Sequence, residues 1–204
     1  MARTGLTREV IVRAARTLLE QDGPDALSMR RLATALGTSP MTLYHYVPGR
    51  SELLNAVLDQ VAAEIDWQTP TGAPEDRMLA VALQVHEVLG GLPWVVEVLR
   101  DAGHVGASAL VSTEQFLTAA IDAGADPGQA LSLWRSVWFL IAGDLVLARS
   151  AGGGTRWYES LSPDRIPDTP TVRRLLPRWA EHSAGYDLGE QLRFLIDGTV
   201  RGIG

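Results

Sequence analysis

Over residues 28–46 the chain reads SMRRLATALGTSPMTLYHY, and its start and stop signals leave little freedom in how it folds. Ser28 is a good N-cap, because its hydroxyl can accept from the free amides that open a helix running MRRLATAL. Gly37 ends that helix. Ser39 followed by Pro40 opens another, since a proline at the first helical position gives up an N–H that had no partner there. Leu32, Ala33, Leu36, Leu43 and Val47 are spaced to face one small core. The product is two helices about a tight turn, a helix-turn-helix.

In this motif the second helix lies in the major groove and its first residues reach base edges. Here those residues are Ser39, Pro40, Met41, Thr42, Tyr44 and His45, with no acid among them to repel phosphate. The competing explanation of such a run is a helical hairpin inside an ordinary all-α protein. Tyr44, His45 and Tyr46 weigh against it, because core helices rarely place three consecutive hydrogen-bonding rings on one short helix.

Together with REVIVRAARTLLEQDG before it and SELLNAVLDQVAAEI after it, this segment resembles the DNA-binding domain of the TetR family of bacterial transcriptional regulators. The likeness covers residues 7–66, and LYHYVPGRSELL is its most specific part. Beyond residue 66 it extends only to the general architecture. The resemblance implies an all-α fold, with an N-terminal three-helix homeodomain-like helix-turn-helix domain at 1–66 and a helical effector-binding and dimerisation domain at 67–204. It places Arg30 toward the groove, where a guanidinium can pair with guanine O6 and N7. It places Ser28, Thr38, Tyr46 and Arg50 as contacts to the DNA backbone that set register without reading sequence. Many relatives carry lysine where this chain has Arg50, so the charge is kept. Arg31 is expected to face away and form a surface pair.

The overall charge of −6 argues against nucleic acid only if it is spread evenly. It is not: residues 1–50 hold seven Arg against four acids, a net +3, and the remaining residues carry −9. A small DNA-reading head on an acidic body has this asymmetry. Every positive side chain is arginine. Cysteine is absent, which excludes disulfides, thiol catalysis and cysteine-based zinc sites and suits a reducing cytoplasm. The arginines near the N-terminus precede no apolar run, and no later stretch has about 20 uninterrupted apolar residues, so neither export nor a membrane partner is expected.

Along the chain, Arg3 belongs to an arm that can reach backbone or minor groove. Thr7 caps a first helix with Val10, Ile11, Ala14, Ala15, Leu18 and Leu19 at helical spacing, and Gly23-Pro24 stops it. Pro48-Gly49 turns into a fourth helix over about 50–66, whose stripe is Leu53, Leu54, Val57, Leu58, Val61 and Ile65. Residues 67–73 form a linker. Further helices are expected over 75–89, 94–102 and 107–123, then a long one from Pro127 that is apolar nearly all round and must be buried on more than one side. Residues 150–171, with three consecutive glycines and three prolines, are expected to be irregular. Helices over 170–181 and 186–200 complete the chain.

The resemblance implies a homodimer in which residues 127–149 and 186–200 form a four-helix interface with the second copy. Geometry points the same way: one short recognition helix contacts few bases, and two on a palindrome sit about 34 Å apart or a multiple of it. The alternative is that both helices complete a monomeric core. The resemblance also implies a pocket for a small-molecule effector of unknown identity. Trp134 and Trp138 share a helix face, and Gln84, His86, Trp94, His104 and Phe116 come from neighbouring segments, so the set could line an aromatic cavity with a few polar groups. Each alone is equally explained by packing. No cofactor is called for, and catalysis finds no support, since His45, His86, His104 and His182 are scattered and none lies in a nucleophile or metal motif. The expectation is therefore a dimeric repressor of duplex operator DNA released by an effector. A DNA-binding regulator without an effector, governed by a protein partner, is the alternative.

Overall fold

The structure is a computed structural model and describes residues 5–100, 104, 106–150 and 168–202. Arg3 and most of the stretch expected to be irregular over 150–171 lie outside the described residues. Among the described residues there are helices and turns and no strand.

The first four helices are α1 (Arg8–Asp22), α2 (Met29–Ala35), α3 (Pro40–Tyr44) and α4 (Arg50–Ala63). Their caps are the predicted ones: the Thr7, Ser28 and Ser39 hydroxyls accept from the N–H groups of Val10, Arg31 and Thr42. Between α2 and α3, Gly37 takes φ 63°, a left-handed conformation costly for other residues. That lets the Thr38 N–H reach the Ala33 carbonyl at 2.9 Å and the Gly37 N–H the Thr34 carbonyl at 3.1 Å, the paired bonds of a Schellman stop. Ile11, Ala15, Leu19, Leu32, Leu43, Val47, Leu53 and Val57 are wholly buried in one core. Val12, which the α1 periodicity leaves out, is also buried there.

α4 ends three residues before the predicted limit. The Trp67 indole N–H donates to the Ala62 carbonyl at 3.3 Å, which also accepts from the Ile65 N–H at the helix end. After the irregular residues 67–73 come α5 (Pro74–Gly90), α6 (Pro93–Arg100), α7 (Leu110–Asp122) and α8 (Pro127–Ser150). Then follow α9 (Pro170–Leu175), α10 (Trp179–Ser183) and α11 (Leu188–Arg201). A single helix over 170–181 is not formed, because Pro177 has no N–H to donate and its ring crowds the preceding turn, so a 3-10 turn at Leu176–Arg178 separates α9 from α10. α11 begins later than predicted, where the Asp187 carboxylate accepts from the Glu190 N–H at 2.8 Å.

α5, α7, α8 and α11 enclose a second core around Met78, Ala82, Phe116, Val137, Ile141, Leu192 and Ile196. α6 is wedged between the two cores: Trp94, Val95 and Val98 pack into the first and Val96 into the second. The first core thus extends past residue 66. α8 buries Ala130, Leu133, Val137, Ile141 and Leu145 and leaves Leu131, Phe139 and Leu147 in solvent. By length and composition its span Pro127–Leu147, of mean hydropathy 1.5, could cross a membrane; here one face of it lies on the second core.

Candidate nucleic-acid interface and cavity

α3 is held to the head by one buried side chain, Leu43. What it presents outward is large, Met41 at 70% exposed and Tyr44 at 47%; α3 ends at Tyr44, so His45 caps it and Tyr46, 41% exposed, stands in the turn beyond rather than on the same helix as expected. Ser39 and His45 are exposed as well, and Thr38, Pro40 and Thr42 are half-buried. The Ser39 hydroxyl is shared between the Thr42 N–H at 3.2 Å and the Thr42 hydroxyl at 2.9 Å, which fixes the first turn that would enter a groove.

On α2, Arg30 is exposed, and with Ser28, Thr34 and Ala35 it borders a shallow surface depression. Arg31 pairs with Asp22 at 2.6 Å, the surface pair expected of it. Arg50 has a second occupation that the sequence does not reveal. Its Nε donates to the Leu27 carbonyl at 3.2 Å and its Nη2 to the Pro24 carbonyl at 3.0 Å, so the guanidinium braces the turn that leads into α2. From residue 26 to residue 51 the chain has three arginines and no acid, so the α2–α3 surface is cationic on a protein that is acidic as a whole.

Where the head meets the body there is a cavity of about 420 Å³. Of the seven residues proposed for such a site, His104, Trp134 and Trp138 line it. The other four do not. Trp94 is turned into the first core, and Phe116 lies wholly buried behind the lining, its ring 4.9 Å from that of Trp134. His86 pairs with Asp144 at 2.9 Å, and Gln84 donates to the Asp66 carbonyl at 3.0 Å. Residues the sequence reading missed are Leu58, Val61, Ala62 and Ile65 on or just past α4, and Trp67. The available signal was the α4 stripe, which runs on apolar beyond what a four-helix head needs to cover.

His104 and residues 106–109 form another wall and are fastened to α4. His104 Nδ1 lies 3.1 Å from Asn55 Oδ1, and the Ser108 N–H donates to Asp59 Oδ1 at 2.8 Å. The bonds from the Ser108 backbone and hydroxyl hold the Asp59 carboxyl below its ordinary pKa. Gly106 lies against the α4 backbone: a Cβ there would stand 2.7 Å from Asp59 N. Among the described residues no cluster of three or more His, Cys, Asp or Glu side chains could hold a metal ion.

Residues 11–57 match the model of a family described as bacterial regulatory proteins, tetR family. The HTH-type transcriptional repressor DrrR1 of Streptomyces coeruleorubidus is 36% identical over 121 residues, 55% of this chain and 43% of that protein. An HTH-type transcriptional regulator of Saccharopolyspora erythraea is 30% identical over 69% of this chain and 60% of its own length. The chain thus spans about half the length of these curated relatives. Among solved structures, apo ActR from Streptomyces coelicolor superposes with a TM-score of 0.75 at 24% identity, covering 100% of this chain and 98% of that one. ActR has also been solved in complex with actinorhodin, and that structure aligns with a TM-score of 0.73 over 98% of this chain and 100% of that one.

Proposed function

This chain belongs to the tetR family of bacterial regulatory proteins, and we propose that it is a dimeric transcriptional repressor that holds a palindromic operator through two copies of α3 and releases it when a small molecule fills the cavity. The observation that carries this reading is the wall shared by cavity and lever. Leu58, Val61 and Ala62 face the cavity from α4, the helix whose other end packs into the core that seats α3. A molecule that fits only when α4 and residues 106–109 stand differently favours that arrangement, and the two recognition helices then leave the spacing the operator demands. Moving such an equilibrium from 1:99 to 99:1 takes about 5.5 kcal/mol of differential affinity.

At the head, Arg30 and Tyr44 read bases, Ser39, Pro40, Met41, Thr42 and His45 line the groove, and Ser28, Thr38, Tyr46 and Arg50 hold the backbone. Domain limits of 1–66 and 67–204 suit this division of labour, with α6 as the piece of the second domain that grips the first. An intracellular site of action follows from a DNA target. That ActR was crystallised with actinorhodin supports an effector role for the cavity at the level of shared fold. The test begins with selection of duplexes from random sequence by the full chain. Enriched inverted repeats bound by two chains, and loosened by a compound that also raises the melting temperature, are the expected outcome. Selective binding indifferent to every stabilising compound would favour control by a protein partner instead.

A further inference from the structure

We propose that the turn over residues 23–27 positions the Arg50 guanidinium for a DNA phosphate and passes the placement of α6 to that contact, so that the body governs the grip on DNA by a path other than the length of α4. The proposal rests on the DNA-backbone role given to Arg50 above.

Arg50 opens α4, and its Nε and Nη2 donate to the Leu27 and Pro24 carbonyls. A guanidinium carries five N–H donors in one rigid plane. Bonds to two carbonyls fix that plane, and three N–H groups, two on Nη1 and one on Nη2, remain for another acceptor. A phosphate that meets a fork already oriented costs less side-chain freedom than one that must order a loose arginine. Where the fork stands is set by the turn.

α6 packs against this same turn. Trp94, Val95 and Val98 are buried in the core that also takes Leu27, and the Glu97 carboxylate stands 3.9 Å from where a side chain on Gly23 would begin. Asp22, just before the turn, pairs with Arg31 at 2.6 Å, so the turn is tied to the helix that carries Arg30 as well. Val95 and Leu99 also line the cavity. A shift of α6 thus reaches Arg50 across residues 23–27, whereas a shift at Val61 must travel back along about three turns of α4.

A phosphate contact is blind to base sequence, so binding of the full chain to a fluorescent duplex of arbitrary sequence, followed over a salt series, provides the test. Pro24→Gly loosens the turn, and Val98→Ala loosens α6 where it enters the head core. Each should lower affinity about fivefold, the value of one hydrogen bond, although neither residue is placed against DNA. In an Arg50→Ala background each should cost less than about twofold, the non-additivity of residues that act through one contact. Arg50→Lys should keep the salt slope yet lose the coupling, because a single ammonium cannot hold both carbonyls. Val81→Ala, a truncation of the same size in the second core, should show no coupling to Arg50. Circular dichroism checks the fold of each variant, and Glu97→Ala replaces Val98→Ala if the latter does not fold. Losses that persist in full without Arg50, no loss from the turn or from the α6 variant, or equal coupling of Val81→Ala would overturn the proposal. A wild type that binds no duplex at low salt would defeat the regulator reading itself, which additive losses would leave intact.

Discussion

At the scale of single residues the proposed function divides the head into groups that would read DNA and groups that hold the reader in shape. Arg30→Ala or Tyr44→Ala should each remove discrimination between operator and mismatched duplexes, by about 1–3 kcal/mol for the arginine if it pairs bidentately with guanine, without lowering the melting temperature. Both side chains are exposed, so neither supports the core. Footprints like the wild type from both variants would remove them from the groove. Arg50 is different because it bridges two carbonyls as well as carrying charge. Arg50→Lys keeps the charge but cannot span both carbonyls, so it should melt earlier while keeping the salt dependence of DNA binding. Arg50→Ala should also flatten the log–log salt slope by about one unit. The phosphate role proposed for Arg50 comes from the family resemblance, which puts a basic residue at this helix start. The bracing role was not visible, because nothing local ties residue 50 to carbonyls more than twenty positions earlier. The cavity residues divide on the same line. Trp134 and Trp138 announced themselves by helical spacing, whereas whether Trp94 or Phe116 met the cavity or a core depended on how whole helices pack.

At the scale of elements, what was legible is local chemistry. Thr7, Ser28, Ser39 and Gly37 mark helix ends because caps and left-handed turns are decided within a few residues. Gly37→Ala is accordingly expected to cost about 1–2 kcal/mol in the melting equilibrium, although a Cβ there meets open space, since the penalty lies in φ alone. The fastening of His104 and Ser108 to α4 was illegible: it joins them to Asn55 and Asp59, about fifty positions away. Its pH dependence has a definite sign. The Asp59 carboxyl is held below its ordinary pKa in the folded protein, so its bond to Ser108 stabilises above the unfolded value of about 3.9 and is lost as pH falls through the lower folded value. Asp59→Ala should therefore cost about 1 kcal/mol at pH 7, at the low end for a hydrogen bond to a partly solvated carboxylate, and the gap from wild type should close in the acid range. A gap that persists unchanged at low pH would mean that Asp59 acts by packing.

At the scale of the whole molecule, α8 and α11 each leave a phenylalanine in solvent. Phe139 on α8 is 65% exposed and Phe194 on α11 is 73% exposed, and Phe194 borders a groove with Leu140, Tyr186 and Gly198. Periodicity showed that α8 had more apolar surface than one core could use, and the fold shows where the excess lies. A soluble monomer rarely leaves such a surface bare, and a two-fold partner would cover each ring twice over, once per copy. At about 1.5–3 kcal/mol for each buried side chain, Phe194→Asp should weaken the dimer by roughly 3–6 kcal/mol, or two to four powers of ten. Because the ring is already in water in the single chain, the variant should keep its helical content and fold as a monomer in sedimentation equilibrium at micromolar concentration. Operator affinity should fall with it, since a lone head contacts one half-site, and it should recover when two variant chains are joined by a linker long enough to span the palindrome. A Phe194→Asp protein that still sediments as a dimer would move the interface elsewhere. One that is monomeric yet binds the operator as tightly as the wild type would show that the two heads do not act together.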